Sequence, residues 1–515
     1  MTADAATARE PGVVRSTIPA RIDRLPWSKF HTRMVVALGV AWILDGLEIT
    51  VAGAVAGVLN KNTTLGLSSS KVGLIATVYL VGEVVGALFF GRLSDKWGRK
   101  NLFMITLAVY LVGSGLTAAT WGAGVGAVVF LYATRFVAGM GIGGEYAAIN
   151  SAIDELIPAR FRGRTDIAVN GTYWGGAILG TLGSLLFLNV IGESAGWRIA
   201  FLLGPVLGLC ILLVRRNLPE SPRWQIMRGR EEEAERSIQL IEREVEATGA
   251  TLEPVDDSKA IEIKPVERTG YLTLLKVLFQ KYPSRSTLGA TLMITQSFLY
   301  NAIFFTYTIV LTKFYGISAA KAPFFLIAFA VGNLIGPLTI GRLFDTIGRR
   351  VMITATYLIS GVLLAVTAFL FQANVLSATT QTIAWCVIFF FASAGASAAY
   401  LTVSEIFPLE VRAQAIAVFF AIAQCFGALG PVIYGAMIGD GKNRTALFIG
   451  YLLGAGVMVV GGLVEAFLGV NAEQKSLEDV AEPLSMVRRT SEALAGYSSG
   501  AVARRGVSSS LPPVG

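Results

Sequence analysis

The sequence has little of what a soluble enzyme or a disulfide-bonded secreted protein needs. Its 515 residues include three cysteines and one histidine. The cysteines (Cys210, Cys386 and Cys425) all fall in apolar runs, which suggests neither a disulfide framework nor a metal-ligand cluster. Only 15% of the residues are charged, against about a quarter in a typical soluble protein. No Gly-Lys-Ser/Thr phosphate-binding motif accompanies the apolar runs, so we expect no ATP-driven step and no cofactor.

Long apolar runs take the place of those features. Hydrophobic residues make up 54% of the chain, and its mean hydropathy is +0.61. The runs are about 20 residues long, which is the length that crosses a bilayer as a helix. They predict an all-α polytopic membrane protein with twelve spans, near residues 34–58, 72–90, 102–120, 125–150, 166–190, 197–214, 287–312, 323–341, 351–371, 381–402, 411–437 and 446–468.

The positive charge is distributed along the chain in a regular way. The net charge is +8, but Lys and Arg alternate between loops rather than forming one patch, which argues against a nucleic-acid partner. The positive-inside rule places the basic loops and both tails in the cytoplasm. The basic loops are 91–100, 154–164, 215–285 and 342–350, and the loops without Lys or Arg are 120–124, 191–196 and 372–380. The first 30 residues lack the apolar core of a signal peptide.

An internal repeat organises the chain. Residues 91–100 read GRLSDKWGRK and residues 341–350 read GRLFDTIGRR, an offset of 341 − 91 = 250. The same offset relates three further pairs: Glu155 with Glu405, Pro158 with Pro408, and Arg162 with Arg412. A long internal repeat of this kind indicates two similar membrane-embedded halves.

The repeat and the composition together predict five regions. They are a cytoplasmic N-terminal tail (1–33), a six-helix bundle (34–214), a cytoplasmic linker (215–285), a second six-helix bundle (286–468) and a cytoplasmic C-terminal tail (469–515). Within the linker, apolar residues from Met227 to Val245 recur at helical spacing and predict an amphipathic helix. We expect the N-terminal tail to be disordered, and the C-terminal tail to be disordered after Glu482.

The hairpin motif, present twice in register, resembles that of the major facilitator superfamily. Two further stretches, Arg135–Glu145 (RFVAGMGIGGE) and Pro219–Arg223 (PESPR), resemble motifs of its sugar-porter-like branch. The resemblance implies a secondary transporter that works by alternating access, not an enzyme. The acids Asp45 and Glu48 in the first span resemble those of organic-acid and aromatic-acid proton symporters more than those of sugar carriers.

The paired acids of the first span are the predicted proton-coupling site. Asp45 and Glu48 are three residues apart and share a helix face, and a carboxylate at membrane depth is costly and usually functional. We predict that Glu48, aided by Asp45, carries the proton and that Arg135 stabilises its charged form. The alternative is a structural ion pair inside the membrane. Glu83 and Glu145 are also at membrane depth, and each is either a second proton site or a carboxylate satisfied at a tight helix crossing.

The substrate site is expected near the midplane between the halves. Amides can read hydroxyls, carboxylates or ring nitrogens, and aromatic rings can stack on a flat substrate or hold a cation. Helix packing is the alternative role for each aromatic ring. The predicted substrate-binding residues are Asn170, Trp174, Gln296, Tyr300, Asn301, Asn333, Tyr400 and Gln424. By resemblance, the amides of Asn170, Gln296, Asn301 and Asn333 fall where sugar porters bind hydroxyls.

The charges at the hairpins predict a cytoplasmic gate. A network of ion pairs can bias an equilibrium of a few kcal/mol between two states. The alternative is that the hairpin charges only set the membrane topology. Asp95 and Asp345 argue against this, because acidic residues contribute little to a positive-inside signal. The predicted gate residues are Arg92, Asp95, Arg99, Glu155, Arg162, Glu220, Arg223, Arg342, Asp345, Arg349, Glu405 and Arg412.

We therefore predict a proton-coupled symporter of a small organic metabolite, with an organic or aromatic acid as the first choice. A sugar or polyol symporter and an organic cation carrier stay open as alternatives, and a non-transporting membrane sensor is a remote one. The expected partners are the substrate, protons and the lipid bilayer. We expect a monomer in the plasma membrane or the bacterial inner membrane.

Overall fold

The computed structural model of the chain describes residues 13–59, 61–67, 69–122, 124–215, 219–265, 270–318, 321–439 and 441–489. About 80% of the described chain is helical. The helices are α1 (Ile18–Asp23), α2 (Lys29–Leu59), α3 (Ser69–Trp97), α4 (Arg99–Ala118), α5 (Val125–Leu156), α6 (Ala159–Gly171), α7 (Tyr173–Val190), α8 (Glu193–Arg215), α9 (Pro222–Met227), α10 (Glu231–Glu246), α11 (Tyr271–Lys276), α12 (Pro283–Tyr315), α13 (Ala322–Ile340), α14 (Leu343–Thr346), α15 (Arg349–Gln372), α16 (Ala378–Glu405), α17 (Arg412–Gly427), α18 (Leu429–Ile438), α19 (Arg444–Leu468) and α20 (Leu477–Val480). A 3₁₀ turn (Asp257–Lys259) and a π-helical turn (Val277–Lys281) complete the helical elements.

Eleven helical segments of the described chain are long and apolar enough to cross a membrane. A further helix of 23 residues, α8, lies at the position predicted for the sixth span. Helices satisfy every backbone hydrogen bond internally, which a bilayer demands. The all-α polytopic class is therefore confirmed.

Two of the spans contain a one-residue irregularity, at Thr172 between α6 and α7 and at Ala428 between α17 and α18. The backbone stays helical at both residues, and each span runs as one apolar segment, Ala159–Val190 and Arg412–Ile438. Asn170 and Trp174 lie on either side of the first irregularity, and Gln424 lies just before the second.

The two hairpins have the same backbone geometry, which supports the internal repeat. Gly98 has φ +89° and Gly348 has φ +119°, a region that glycine adopts far more readily than other residues. Each glycine immediately precedes a helix that starts with arginine, Arg99 in α4 and Arg349 in α15. We call the end of the molecule that carries both hairpins the hairpin end.

Outside the bundle, three distant segments form one small sheet at the hairpin end. Its strand order is β1 (Val14–Ser16), β2 (Ile261–Ile263), β3 (Met486–Arg489), and both pairings are antiparallel. We call the assembly of residues 13–24, 221–263 and 471–489 the tail–linker unit. Its position joins both ends of the described chain to the linker between the halves.

The ordered segments in the tail–linker unit correct our expectation about the tails. Val14, Ile18 and Ile22 are buried against Ile238 of the predicted amphipathic helix, which is present as α10. Burial of these side chains offsets the entropy of ordering the segment. Expected disorder up to Arg33, and again immediately after Glu482, is therefore wrong. The expectation for residues 1–12 and 490–515 lies outside the described residues.

Candidate functional site

A central cavity lies between the two halves at the middle of the bundle. Its volume is about 120 Å³, which is close to the roughly 150 Å³ of a protein cavity that holds benzene. Residues from both halves form its wall, including Asp45 and Trp174 from the first half and Gln296 and Tyr400 from the second. The size suits a molecule built on one ring.

Seven of the eight predicted substrate-binding residues line this cavity. They are Asn170, Trp174, Gln296, Tyr300, Asn301, Tyr400 and Gln424. The eighth, Asn333, is not part of the lining and is fully buried behind the wall. Its Oδ1 accepts a hydrogen bond of 2.9 Å from the Tyr300 hydroxyl, and its Nδ2 donates to the Phe329 carbonyl. Asn333 therefore orients Tyr300 and does not face the cavity.

Aromatic rings from both halves form two clusters in the wall of the cavity. The rings of Trp42 and Tyr400 meet edge to face at 5.3 Å, and those of Tyr146 and Tyr400 stack at 6.1 Å. Trp174 lies 5.7 Å from Tyr300. These pairs cross between the halves, and such geometries are favourable by about 0.5–1.5 kcal/mol each. The wall therefore offers flat apolar surface and also holds the halves together.

Amide and hydroxyl groups supply the polar side of the cavity. Asn301 Nδ2 donates to the Ser297 hydroxyl at 3.2 Å, and that hydroxyl donates to Gln424 Oε1 at 3.2 Å. Asn170 Nδ2 donates to the Asp166 carboxylate at 3.0 Å, while its buried Oδ1 has no hydrogen-bond partner within the described chain. The cavity therefore presents donors and acceptors that a polar substrate can use.

Asp45 is the acid that faces the cavity. One carboxylate oxygen accepts from the Tyr79 hydroxyl at 3.2 Å, and the other accepts from the Tyr146 hydroxyl. The lining residues, all within the described ranges, include no Lys, Arg or His. Asp45 is thus held by two neutral donors beside the substrate space.

Glu48 and Arg135 form the predicted pair, but away from the cavity. Arg135 Nη1 lies 2.5 Å from Glu48 Oε2, and both side chains are at most 1% exposed. Glu48 Oε1 also accepts from the hydroxyls of Tyr110 (3.0 Å) and Ser114. The Arg135 guanidinium lies 4.4 Å from the centre of the Tyr79 ring. Glu48 is therefore compensated by a cation and two hydroxyls, whereas Asp45 forms no ion pair with any residue that the structure describes.

The hairpin end contains the same ion pair in each half. Arg99 Nη2 lies 2.7 Å from Glu155 Oε1 in the first half, and Arg349 Nε lies 3.0 Å from Glu405 Oε2 in the second. All four side chains are at most 2% exposed. These residues are related by the offset of 250, so the repeat accounts for both pairs. Each pair lies within one half.

Other contacts join the halves across the hairpin end. Arg162 Nη1 is 3.4 Å from Glu405 Oε1. The Asp345 carboxylate accepts from two backbone amides of α6, those of Gly163 (3.1 Å) and Arg164 (2.8 Å). Hydrogen bonds from backbone amides to an ionised carboxylate are charge-assisted and stronger than those to a neutral acceptor. The structure is therefore closed at this end.

The remaining predicted gate residues differ in their contacts and in their exposure to solvent. Arg412 Nε lies 4.0 Å from Asp154 Oδ2 of the other half. Arg223 Nη2 contacts Asp23 of α1 at 3.0 Å, which joins the gate to the tail–linker unit. Arg92 and Arg342 are exposed. The side chain of Asp95 lies outside the described residues.

Glu220 contacts the first hairpin through its backbone. Its Oε1 accepts from the amide of Arg99 at 2.9 Å. Burial raises the pKa of the Glu220 carboxyl, although this backbone hydrogen bond and the charge of Arg99 oppose the change. Gly98 leaves the room for this contact, because a Cβ there would lie 2.1 Å from Glu220 Oε2.

Sequence reasoning missed several cavity residues. Trp42, Tyr146, Ser393 and Ser397 line the cavity but were not predicted to bind substrate. Trp42 precedes Asp45 by three residues and therefore shares its helix face, so its place in the cavity wall could have been predicted from that of Asp45. No comparable signal indicated the serines, because a hydroxyl in an apolar helix usually donates to the preceding turn, as Ser397 does to Ser393.

The fold and the cavity together define a multi-pass membrane transporter built from two related halves around a central site. Residues 41–484 match the family described as "Sugar (and other) transporter", and the chain belongs to this family of the major facilitator superfamily. The members of this family are transporters rather than enzymes.

Relatives extend over nearly the whole chain. The chain is 27% identical over 467 residues to the niacin transporter NiaP of Acinetobacter baylyi, with 90% of this chain and 99% of NiaP covered. It is 25% identical over 460 residues to the 4-hydroxybenzoate transporter PcaK of Pseudomonas aeruginosa, with 88% and 97% covered. Among solved structures, the proton:xylose symporter XylE, bound to 6-bromo-6-deoxy-D-glucose, superimposes with a TM-score of 0.73 at 19% identity, covering 88% of this chain and 98% of XylE.

Proposed function

We propose that the protein is a proton-coupled symporter of a small aromatic or heteroaromatic monocarboxylate. The observation that carries the proposal is the cavity between the halves, in which Asp45 lies beside an aromatic wall and a set of amides. The volume of about 120 Å³ fits a single ring. Niacin and 4-hydroxybenzoate, named for two relatives, are single-ring compounds with one carboxyl group.

Asp45 is the proton carrier in this proposal, and this changes the role we predicted for Glu48. Breaking a buried ion pair by removing one partner costs about 3–5 kcal/mol, so separating Glu48 from Arg135, which lie 2.5 Å apart, would be costly. Asp45 accepts hydrogen bonds from the hydroxyls of Tyr79 and Tyr146 rather than from a cation. Its proton can therefore be exchanged through the cavity without breaking an ion pair.

The charge of the cavity explains how proton and substrate are coupled. An anionic substrate placed beside an ionised Asp45 would bring two negative charges together without a cation among the lining residues. Like charges within about 4–6 Å of each other disfavour the charged form of both. Substrate anion and proton therefore enter together, as a neutral pair.

The transport cycle moves the halves around this site. The contacts at the hairpin end close one entrance, and their separation would open it. We propose that the hairpin end is cytoplasmic, as the basic loops indicate, so this structure represents a state closed to the cytoplasm. We expect the transporter to work as a monomer.

The test is uptake of labelled nicotinate and 4-hydroxybenzoate into proteoliposomes, with and without an inward proton gradient. Hexoses and polyols are included because the amide groups also suit hydroxyls. We expect acid accumulation that needs the gradient. Asp45→Asn should lose accumulation while still exchanging labelled for unlabelled substrate. Glu465→Gln, which removes a buried acid of α19 far from the cavity lining, should behave as the unchanged protein.

Two results would contradict the proposal. Accumulation of hexoses but not acids would keep the coupling and overturn the substrate class. Wild-type accumulation by Asp45→Asn would remove Asp45 from the proton pathway.

A further inference from the structure

Glu83 is a buried acid that the transport cycle above does not use. It lies near the middle of the span Leu74–Leu93 and is 0% exposed. The close packing of α3 on α5 encloses it, since a Cβ at Gly143 would lie 2.0 Å from the Glu83 backbone oxygen. A carboxyl group at this depth is costly and usually has a function.

The carboxyl group of Glu83 has two neighbours that matter. Its Oε2 accepts a hydrogen bond of 2.9 Å from Gln424 Nε2, which belongs to the other half. Within its own half it lies beside the carboxyl of Asp45. Its Oε1 has no hydrogen-bond partner among the described residues. Glu83 therefore stands between the acid of the cavity and an amide of the cavity.

The other ionisable groups around Glu83 do not neutralise it. Arg135 of α5 is paired with Glu48 at 2.5 Å. Other titratable neighbours are the hydroxyls of Tyr79, Tyr146, Tyr173 and Tyr400, and the acids Glu48 and Glu145 lie close enough to act on Asp45. Two carboxyl groups side by side in a low dielectric cannot both be ionised cheaply. Asp45 and Glu83 therefore hold at least one proton between them.

Gln424 connects this carboxyl pair to the substrate. It lines the cavity, its Nε2 donates to Glu83, and its Oε1 accepts from Ser297. A hydrogen bond to an ionised acceptor is roughly twice as strong as one to a neutral acceptor. An ionised Glu83 therefore holds the Gln424 amide firmly, and a protonated Glu83 holds it weakly and frees an N–H for a substrate carboxylate.

We infer that Glu83 is a positioning residue that couples proton binding to substrate binding through Gln424. This inference rests on the proposed function, because it requires an anionic substrate in the cavity. Protonation of the Asp45–Glu83 pair turns the Gln424 amide towards the substrate, and loss of the proton withdraws it. The coupling is reciprocal, so bound substrate also favours the protonated pair.

The pH dependence follows directly. Proton and substrate favour each other, so the substrate dissociation constant rises as the pH rises. For one linked proton the rise is at most about tenfold per pH unit. A variant that mimics the protonated carboxyl permanently should lose this dependence and bind tightly over the whole range.

The test is equilibrium binding of labelled nicotinate and 4-hydroxybenzoate to the full chain between pH 6 and 8.5, with uptake measured on the same proteins. We expect Glu83→Gln to flatten the pH profile of the dissociation constant, and to reduce gradient-driven accumulation at least tenfold while exchange persists. Glu465→Gln is the matched control, since Glu465 is also a buried acid of a membrane helix (0% exposed) and does not line the cavity. It should keep the wild-type slope.

A second variant keeps the inference testable if Glu83→Gln does not fold. Gln424→Leu leaves the carboxyl pair intact and removes the link, so it should weaken binding and also flatten the slope. Unchanged slopes in both variants, alongside normal wild-type accumulation, would overturn the role of Glu83 alone. Absence of gradient-driven acid uptake in the wild type would instead overturn the proposed function.

Discussion

Gly163 in α6 is a tightly constrained position at the interface of the halves. A Cβ there would lie 2.1 Å from Arg349 Nη1 and 2.4 Å from Asp345 Oδ1. Neither atom can move freely, because Arg349 forms ion pairs with Asp345 at 2.7 Å and with Glu405 at 3.0 Å. Gly163→Ala should therefore destabilise the closed hairpin end, although alanine by itself favours a helix over glycine by about 0.5–1 kcal/mol.

The size of the effect follows from the overlap. Overpacking of a tight site costs about 1–3 kcal/mol, and this cost applies only while α6 and the second hairpin are in contact. Separation of the halves relieves it. The equilibrium between the closed and open forms of the hairpin end should shift by about 5–150-fold towards the open form.

Distance measurement between the two hairpins provides the assay. Spin labels at Lys96→Cys and Thr346→Cys occupy exposed, repeat-related sites, in a background without the three natural cysteines. We expect Gly163→Ala to enlarge the population with the longer distance. Gly115→Ala in α4 is the control, because a Cβ there meets nothing within 4 Å. Identical distance distributions for Gly163→Ala and wild type would refute the reasoning.

Three further predictions follow from the geometry. Arg135→Met should lower the thermal stability in detergent by about 3–5 kcal/mol, since it leaves Glu48 buried without its cation, and the added change Glu48→Gln should restore most of the loss. Tyr400→Leu should raise the KM for aromatic acids at least tenfold with a smaller change in maximal rate, because it removes one side of the ring-binding wall; an equal fall in uptake of every substrate would argue against stacking. Acidification should release β1 and α1: burial opposes ionisation of Glu242, but its hydrogen bonds with Arg21 and Arg24 outweigh burial and lower its pKa. The stabilisation by these ion pairs is therefore present above the ordinary glutamate pKa and is lost as the pH falls through the lowered pKa of Glu242. Hydrogen exchange of residues 13–24 should detect this loss in the wild type. Glu242→Gln should abolish the pH dependence.

The internal repeat allowed the equivalent ion pairs of the hairpin end to be predicted from the sequence. The offset of 250 paired Arg99 with Arg349 and Glu155 with Glu405, and these residues form equivalent ion pairs in the two halves. Contacts between the halves, such as the hydrogen bonds from α6 backbone amides to Asp345, could not be predicted in this way, because a repeat relates equivalent positions in the two halves and does not show how the halves meet.

The sequence predicted how deep in the membrane the cavity residues lie, but not which of them point into the cavity. Hydropathy places a residue along a span, whereas its azimuth depends on the packing of neighbouring helices. Asp45 and Glu48 differ by about 60° around α2, and that difference suffices to aim one at the cavity and the other at Arg135. Asn333 lies at the expected depth but behind Tyr300.

The N-terminal tail shows a weak signal that was overlooked. Val14, Ile18 and Ile22 recur every four residues, although only Ile18 and Ile22 belong to α1 and Val14 lies in β1. Three apolar residues are too few to predict burial alone. They become informative only with the matching apolar face of α10, which is more than 200 residues away in sequence.

The small sheet also constrains how the chain is completed during synthesis. Its first strand, β1, is made early, β2 emerges about halfway, and β3 is among the last residues of the described chain. Until β3 emerges, β2 has an unpaired edge, which invites pairing with other chains. A chain that ends before Met486 would keep this edge exposed permanently, so C-terminal shortening should cause self-association in the water-exposed layer even though every membrane helix is present.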